Sequence, residues 1–441
     1  MAKAAKPLTA LVANRKGEIF ELPGFAALGA DGTRLERLTT ANTRPLEYGA
    51  ELMLLPQRQV LVYDLETGRI EKLERNPFDP SEPVFPVAAF NPPGLMVTHT
   101  CAHTRPAGVG LLPLFSYGAV GWHKDGFRSA VAVVDTEPRQ DLRQMPEEKV
   151  RAGVKAMAKA LAGNRLRRHL EKCALVYGCP AGKNFFLGRY EAPLPTSRTC
   201  NARCLGCISW QPESRLPSSQ DRIGFTPTAE EIARVALAHI ERVDRAVVSF
   251  GQGCEGDPLM AAGVICKAIR MIRGRTSAGT INMNTNASLP DRMQELFDAG
   301  LDSIRVSINS LRKDCYQAYF RPRGYRFEDV LESIARAGAA GIHVAINYLN
   351  LPGFTDTPDE MEAFFGFQEK YRADMIQWRN LNYDPVAYLE TMAKVAGSGK
   401  PAGVSRLLAE TGRRFPELVF GYFNPPREKF RRRKGKGRAG Q

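Results

Sequence analysis

Between about residues 184 and 385, short apolar runs alternate with amphipathic stretches, and this alternation limits the fold more than any other feature of the chain. The runs fall at 189–193, 245–250, 280–284, 302–308, 343–349 and 374–380. The stretches between them carry apolar residues at helical spacing, as at Ile232, Val235, Ile240 and Val243, where Thr228 and Glu231 form a capping box at the start. Repeated strand–helix units imply parallel strands with helices packed outside them. Six units fall short of the eight that close a (β/α)8 barrel, and in such folds ligands gather at the C-terminal ends of the strands.

The loop expected to leave the first of those ends reads Thr199-Cys200-Asn201-Ala202-Arg203-Cys204-Leu205-Gly206-Cys207. Three thiols at C-x3-C-x2-C spacing can converge on one iron–sulfur cluster. A [4Fe–4S] cluster normally takes four cysteines, so three leave one iron with a free position for a substrate or cofactor. A zinc site would need a fourth ligand, and no His or Cys follows at knuckle spacing. A disulfide cannot use all three.

This spacing resembles the signature of radical S-adenosylmethionine (radical SAM) enzymes, and residues 184–385 resemble their partial (β/α)6 TIM-like barrel. The resemblance implies an α/β fold with a [4Fe–4S] cluster on Cys200, Cys204 and Cys207. In relatives the free iron holds the amino and carboxylate groups of S-adenosylmethionine. Reductive cleavage then yields a 5′-deoxyadenosyl radical that abstracts hydrogen from a substrate inside the barrel, and the electron comes from a donor such as flavodoxin or ferredoxin.

The resemblance also marks site residues. After the second strand, Gly253 and Glu255 match a glycine-glycine-glutamate element whose carboxylate pairs with the cofactor ammonium; Cys254 interrupts it, and Asp257 is the alternative acid. Cys254 is a candidate catalytic residue, as a hydrogen-atom donor or a site of covalent attachment. Asn284 and Asn286 close the third strand, with Ala287 where glycine is usual. On the fourth, Arg305, Ser307 and Asn309 alternate onto one face, where relatives touch the ribose and carboxylate of the cofactor. Pro352 belongs to a turn resembling the one that shapes the adenine pocket. Gly206 stands where many relatives carry an aromatic residue against adenine, leaving Ile208 or Trp210 to replace it.

The remainder divides by composition. Residues 1–140 read as a β-rich domain, 141–183 as a helical connector, 386–426 as a helical extension and 427–441 as a disordered basic tail. Prolines from Asn76 to Pro113 predict an irregular wrapping segment there. His99, Cys101 and His103 share one face if extended but lack a fourth metal ligand, and Cys173 and Cys179 read as buried small hydrophobes rather than as ligands of a second cluster. The tail holds eight basic residues against Glu428, half of the net charge of +14. Such a run suits nucleic-acid phosphates, an acidic electron donor, or no specific partner.

With 44% hydrophobic residues the chain can fill large cores, yet no run approaches the ~18 apolar residues of a membrane helix. Unpaired cysteines and the lack of a signal-peptide core predict a cytoplasmic enzyme with no membrane partner. The expected function is radical chemistry on a small-molecule or peptide substrate. An RNA-modifying radical enzyme and a non-catalytic iron–sulfur redox or sensing protein are the alternatives.

Overall fold

The computed structural model describes residues 5–124, 126–214, 216–397 and 399–431. Strand–helix alternation produces a parallel sheet in simple sequential order: Glu191–Pro193, Val247–Phe250, Thr280–Thr285, Ser303–Ile308, His343–Asn350 and Met375–Asn380. A seventh strand, Val419–Phe420, pairs in parallel with the sixth. Sequence periodicity missed it because two residues carry no pattern. The region expected to be a purely helical extension therefore contributes to the sheet.

The connector forms α1 (Glu147–Ala160), α2 (Arg165–Leu175) and α3 (Pro180–Leu187). The third helix was not expected; Pro180 opens it at a position where a missing N–H costs nothing, and Gly188 closes it with a left-handed φ of 66°. Around the sheet follow α4 (Ala229–Ile240), α5 (Ala262–Arg273), α6 (Pro290–Ala299), α7 (Lys313–Phe320), α8 (Phe327–Ala339) and α9 (Pro358–Tyr371), then α10 (Pro385–Ala393) and α11 (Val404–Arg414). Both reciprocal bonds of the Thr228–Glu231 capping box form at α4. One apolar core joins these helices to the sheet, with Trp378, Tyr348, Phe250 and Phe185 wholly enclosed.

The N-terminal domain is antiparallel, built on a 12-stranded sheet. The segment expected to be irregular contains a central strand, Phe85–Phe90, paired with 9–13, 51–54 and 118–123. Pro86 fits there because only its carbonyl is used, accepting from Leu55 N–H at 2.8 Å. The proline rule fails where the missing donor is not needed. His99, Cys101 and His103 do not assemble a metal site among the described residues: the Cys101 thiol donates to the Val87 carbonyl and His103 meets the Cys101 carbonyl.

This domain sits on the ends of strands five and six. Asn380 bridges Leu95 and Val97, Asn350 donates to the Val97 carbonyl, and Arg58 and Asp384 form a wholly buried ion pair at 2.7 Å. The turn at Pro352 is part of the same contact. The Pro352 carbonyl accepts from Gly32 N–H at 3.2 Å, and a Cβ on Gly353 would stand 1.9 Å from the Gly32 nitrogen. Pro352 thus belongs to the seam between the domains, which corrects its expected place beside a cofactor.

The final described segment is also better ordered than its composition suggests. Arg427 N–H donates to Thr280 Oγ1, and the Phe430 ring stacks on His343 at 4.2 Å. Residues 432–441 of the basic tail lie outside the described residues. Among the described residues no helix is long and apolar enough to cross a membrane.

Candidate functional site: a thiol-lined cavity at the strand ends

Cys200, Cys204 and Cys207 border a cavity of about 360 Å³ at the C-terminal ends of the strands. Their loop is pinned from three sides. Arg203 and Leu205 N–H groups donate to the carbonyls of Phe320 and Tyr319, where α7 ends. Asn201 is bonded to Ser288 and to Asn286. Gly206 has no room for a side chain, since a Cβ would stand 2.8 Å from both the Asn382 carbonyl oxygen and the Tyr319 hydroxyl. That crowding explains glycine where an aromatic was expected. Ile208 reaches the cavity, whereas Trp210 is partly exposed between the guanidinium groups of Arg203 and Arg222.

Glu255 is the knot of the site. Its Oε2 accepts from the N–H groups of Thr196 and Ser197 at 2.7 and 2.8 Å, and its Oε1 from Gly251 and Gln252 at 2.7 and 2.8 Å. Burial pushes this carboxyl up to about 7, against the pull of its amide donors. Both oxygens thus tie the cysteine loop to the loop after the second strand, while Glu255 itself lines the cavity. Asp257 is equally committed, to Leu259, Thr285 and Asn286. The two loops touch so closely that a Cβ on Gly256 would lie 1.9 Å from the Thr199 carbonyl oxygen.

Other expected residues separate into two groups. Gly253, Asn284, Asn286, Arg305 and Ser307 line the cavity. Asn284 donates to the Gly251 carbonyl, Asn286 holds Asn201, and Ser307 accepts from Asn347. Asn309 does not line it: its amide is spent on the Cys315 carbonyl and the Tyr388 hydroxyl. The strand ends at Ile308, and Asn309, in the bend after it, is wholly buried, a correction that simple alternation could not supply.

Several cavity residues escaped the sequence. Arg222 donates to Ser209 Oγ at 3.2 Å and approaches Cys207 Sγ at 3.6 Å, although nothing about its position 15 residues downstream marks it. Asn347, Gln377 and Arg379 come from strands five and six, where alternation inward was the available signal. Tyr422, Phe423 and Asn424 follow the unforeseen seventh strand, and Asn424 closes the sheet edge by donating to Glu191 and Ser249.

The electrostatics suit a cationic metal group and an anionic ligand. Burial pushes the Cys200 thiol up to about 12 and raises Cys204 strongly, with neighbouring thiol charge adding to the effect. A positive metal centre reverses that penalty. Arg305 is buried, and its Nε and Nη2 have no hydrogen-bond partner among the described residues. Burial draws its guanidinium down to about 10, leaving it charged at neutral pH. Asn347 Oδ1 and Gln377 Oε1 are also buried without a donor there. Unsatisfied groups of both signs around one cavity mark a polar ligand.

Cys254 does not line this cavity. It lies behind it, 3.4 Å from His169 Nε2. The Cys173 thiol is drawn down to about 5, foremost by its hydrogen bond with Cys254, and the Cys254 thiol is raised by the same bond. Cys173 is buried, as expected of it.

Residues 194–365 match the family model of the radical SAM superfamily. That segment is similar to a radical SAM domain. GTP 3',8-cyclase of Heliobacterium modesticaldum is 31% identical over 170 residues, covering 37% of this chain and 47% of that protein. GTP 3',8-cyclase of Streptomyces coelicolor is 31% identical over 179 residues, covering 38% and 48%. The chain thus spans about half the length of the curated relatives it matches. Among solved structures, SuiB of Streptococcus suis overlaps 63% of this chain and 60% of its own, at 14% identity and a TM-score of 0.38. The [4Fe–4S] cluster and S-adenosylmethionine are the cofactors of this superfamily, and the thiol triad and polar cavity fit them.

Proposed function

We propose that the chain holds a [4Fe–4S] cluster through Cys200, Cys204 and Cys207 and S-adenosylmethionine in the adjoining cavity, and acts on a small polar substrate by hydrogen abstraction. The observation carrying this reading is that three thiols and a buried, unpaired Arg305 border one cavity. When bound, the cluster and S-adenosylmethionine supply one-electron cleavage to a 5′-deoxyadenosyl radical. The chain itself supplies position. Arg305 offers two unsatisfied donors to a carboxylate or phosphate, and Asn347 and Gln377 offer acceptors to hydroxyl or amino groups. Gly251, at φ 79°, lets backbone approach where a Cβ would lie 1.7 Å from the Asn284 carbonyl oxygen. Arg222 directs its guanidinium towards Cys207 Sγ at 3.6 Å.

A small molecule is favoured over a peptide by the unsatisfied groups deep in the cavity. The nucleotide named in GTP 3',8-cyclase is one ligand of that chemistry. The basic surface suits an acidic flavodoxin or ferredoxin as electron donor.

The test is anaerobic reconstitution with S-adenosylmethionine and a strong reductant. Release of 5′-deoxyadenosine, abolished in Cys204→Ala, is the expected result. Arg305→Met should raise the Kd for S-adenosylmethionine or for the substrate at least tenfold while leaving the cluster intact. No 5′-deoxyadenosine from a protein whose cluster is verified would refute the reading.

A further inference from the structure

The fold assembles a second set of soft donor atoms away from the cysteine loop. His169 and Cys173 stand one turn apart on α2, so their side chains share a face. Cys254 meets them from the loop after the second barrel strand. His169 Nε2 lies 3.4 Å from Cys254 Sγ and 3.5 Å from Cys173 Sγ, and the three donor atoms all fall within 4.8 Å of one another. Both thiols are buried, at 2% and 6% exposure. Cys179 is tied to the end of the same helix, its amide donating to the Cys173 carbonyl at 2.9 Å, but its thiol is not one of the three grouped donors.

These spacings decide which metal group fits. A tetrahedral zinc ion with bonds of about 2.3 Å to sulfur and about 2.0 Å to imidazole sets its N···S edges at roughly 3.6 Å. The two observed N···S separations match within 0.2 Å. An iron–sulfur core places its ligands on separate irons, with the core between them, and donors this close leave no space for it. Thiolate and imidazole together select zinc over magnesium or calcium.

We propose that His169, Cys173 and Cys254 bind one zinc ion, with a fourth position open to water. The ion would clamp α2 to the loop that contains Gly251, Gly253 and Glu255, the same loop that lines the cofactor cavity. Ile223 N–H, bonded to the Cys254 carbonyl at 2.7 Å, closes the other side of the clamp. The site is therefore structural support for the cavity wall, independent of whichever substrate the cavity takes.

The experiment uses the full chain with Cys200→Ser, Cys204→Ser and Cys207→Ser, so that the cysteine loop takes no metal. Titration with Co²⁺ should reach one equivalent, with thiolate-to-cobalt absorption and the d–d bands of a tetrahedral site, and Zn²⁺ should displace it. Adding Cys173→Ser or Cys254→Ser should weaken binding at least 100-fold and His169→Gln at least tenfold, while Cys266→Ser, on α5, changes nothing. Because a serine variant can fail to fold, a second measurement keeps both cysteines. Zn²⁺ should raise the melting temperature of the metal-free chain and, in enough urea to open the buried site, slow maleimide alkylation of Cys173 and Cys254, mapped by peptide mass spectrometry. The proposal is overturned by an absent tetrahedral signature, by one indifferent to Cys173→Ser and Cys254→Ser, by alkylation unaffected by Zn²⁺, or by iron and sulfide in place of a single ion.

Discussion

Replacing Glu255 by Gln keeps the shape of the side chain and removes half of its acceptor capacity, which isolates what this carboxylate does. In the wild type each oxygen accepts two backbone N–H groups, at distances between 2.7 and 2.8 Å. In the variant one oxygen becomes an NH2 group that confronts two amide donors. Two buried N–H groups then lose their partner, at about 1–3 kcal/mol each, for a total of about 4 kcal/mol. About 3 kcal/mol of that is offset at pH 8, because the neutral amide escapes the burial that lifts the carboxyl to about 7. The net fall in Tm is then only about 2–4 °C, and iron loading is the more sensitive readout. Differential scanning calorimetry at pH 8, with the carboxyl ionised in the wild type, measures it. The two loops that Glu255 ties together carry Cys200 and Gly253, so the iron bound per chain after reconstitution should fall as well. A change in Tm below about 2 °C with full iron loading would refute the reasoning, because the loops would then be held by something other than this knot.

Other perturbations probe separate parts of the same account. Gly206→Ala should lower iron incorporation several-fold, since the new Cβ would press on Tyr319 and Asn382 at 2.8 Å; iron and sulfide assays check it, and unchanged loading would show that the loop has slack. Asp384→Ala leaves Arg58 buried and uncompensated, at a cost of about 3–5 kcal/mol, and should release the N-terminal domain to limited proteolysis; resistance equal to wild type would count against this pair as the domain fastening. Asp31 is pushed up to about 7 by burial and by the nearby Asp356 carboxyl. Its folded pKa exceeds its unfolded value, so its stabilising share is whole below about pH 4 and is lost as pH rises through 7. Tm measured from pH 5 to pH 8 should therefore decline less in Asp31→Asn than in the wild type, and parallel profiles would refute the assignment.

Much of the site's framework is legible in the sequence, for reasons of range. A capping box, helical periodicity and strand alternation are local, so the six parallel strands and most of the helices around them appear where the residues predict them. The three cysteines are equally local, because their spacing alone brings them to one loop. Gly253, Asn284, Asn286, Arg305 and Ser307 reach the cavity because strand ends converge in any parallel α/β barrel.

What escaped was governed by contacts between distant segments. That Glu255 accepts from four backbone amides depends on where residues 196–197 pass, and only the packed structure states that. Asn309 continued the alternation of its strand but was turned into the core, and Pro352 was taken up by a domain whose docking the sequence does not encode locally. Arg222, Asn424 and the seventh strand lacked any periodic mark. The sequence by itself determined a parallel α/β domain with three thiols on the loop after its first strand, since those follow from spacing and periodicity. Tertiary structure decided how residues 85 positions apart, His169 and Cys254, come within 3.4 Å, because the direction of a side chain at a chain crossing is set by both chains at once.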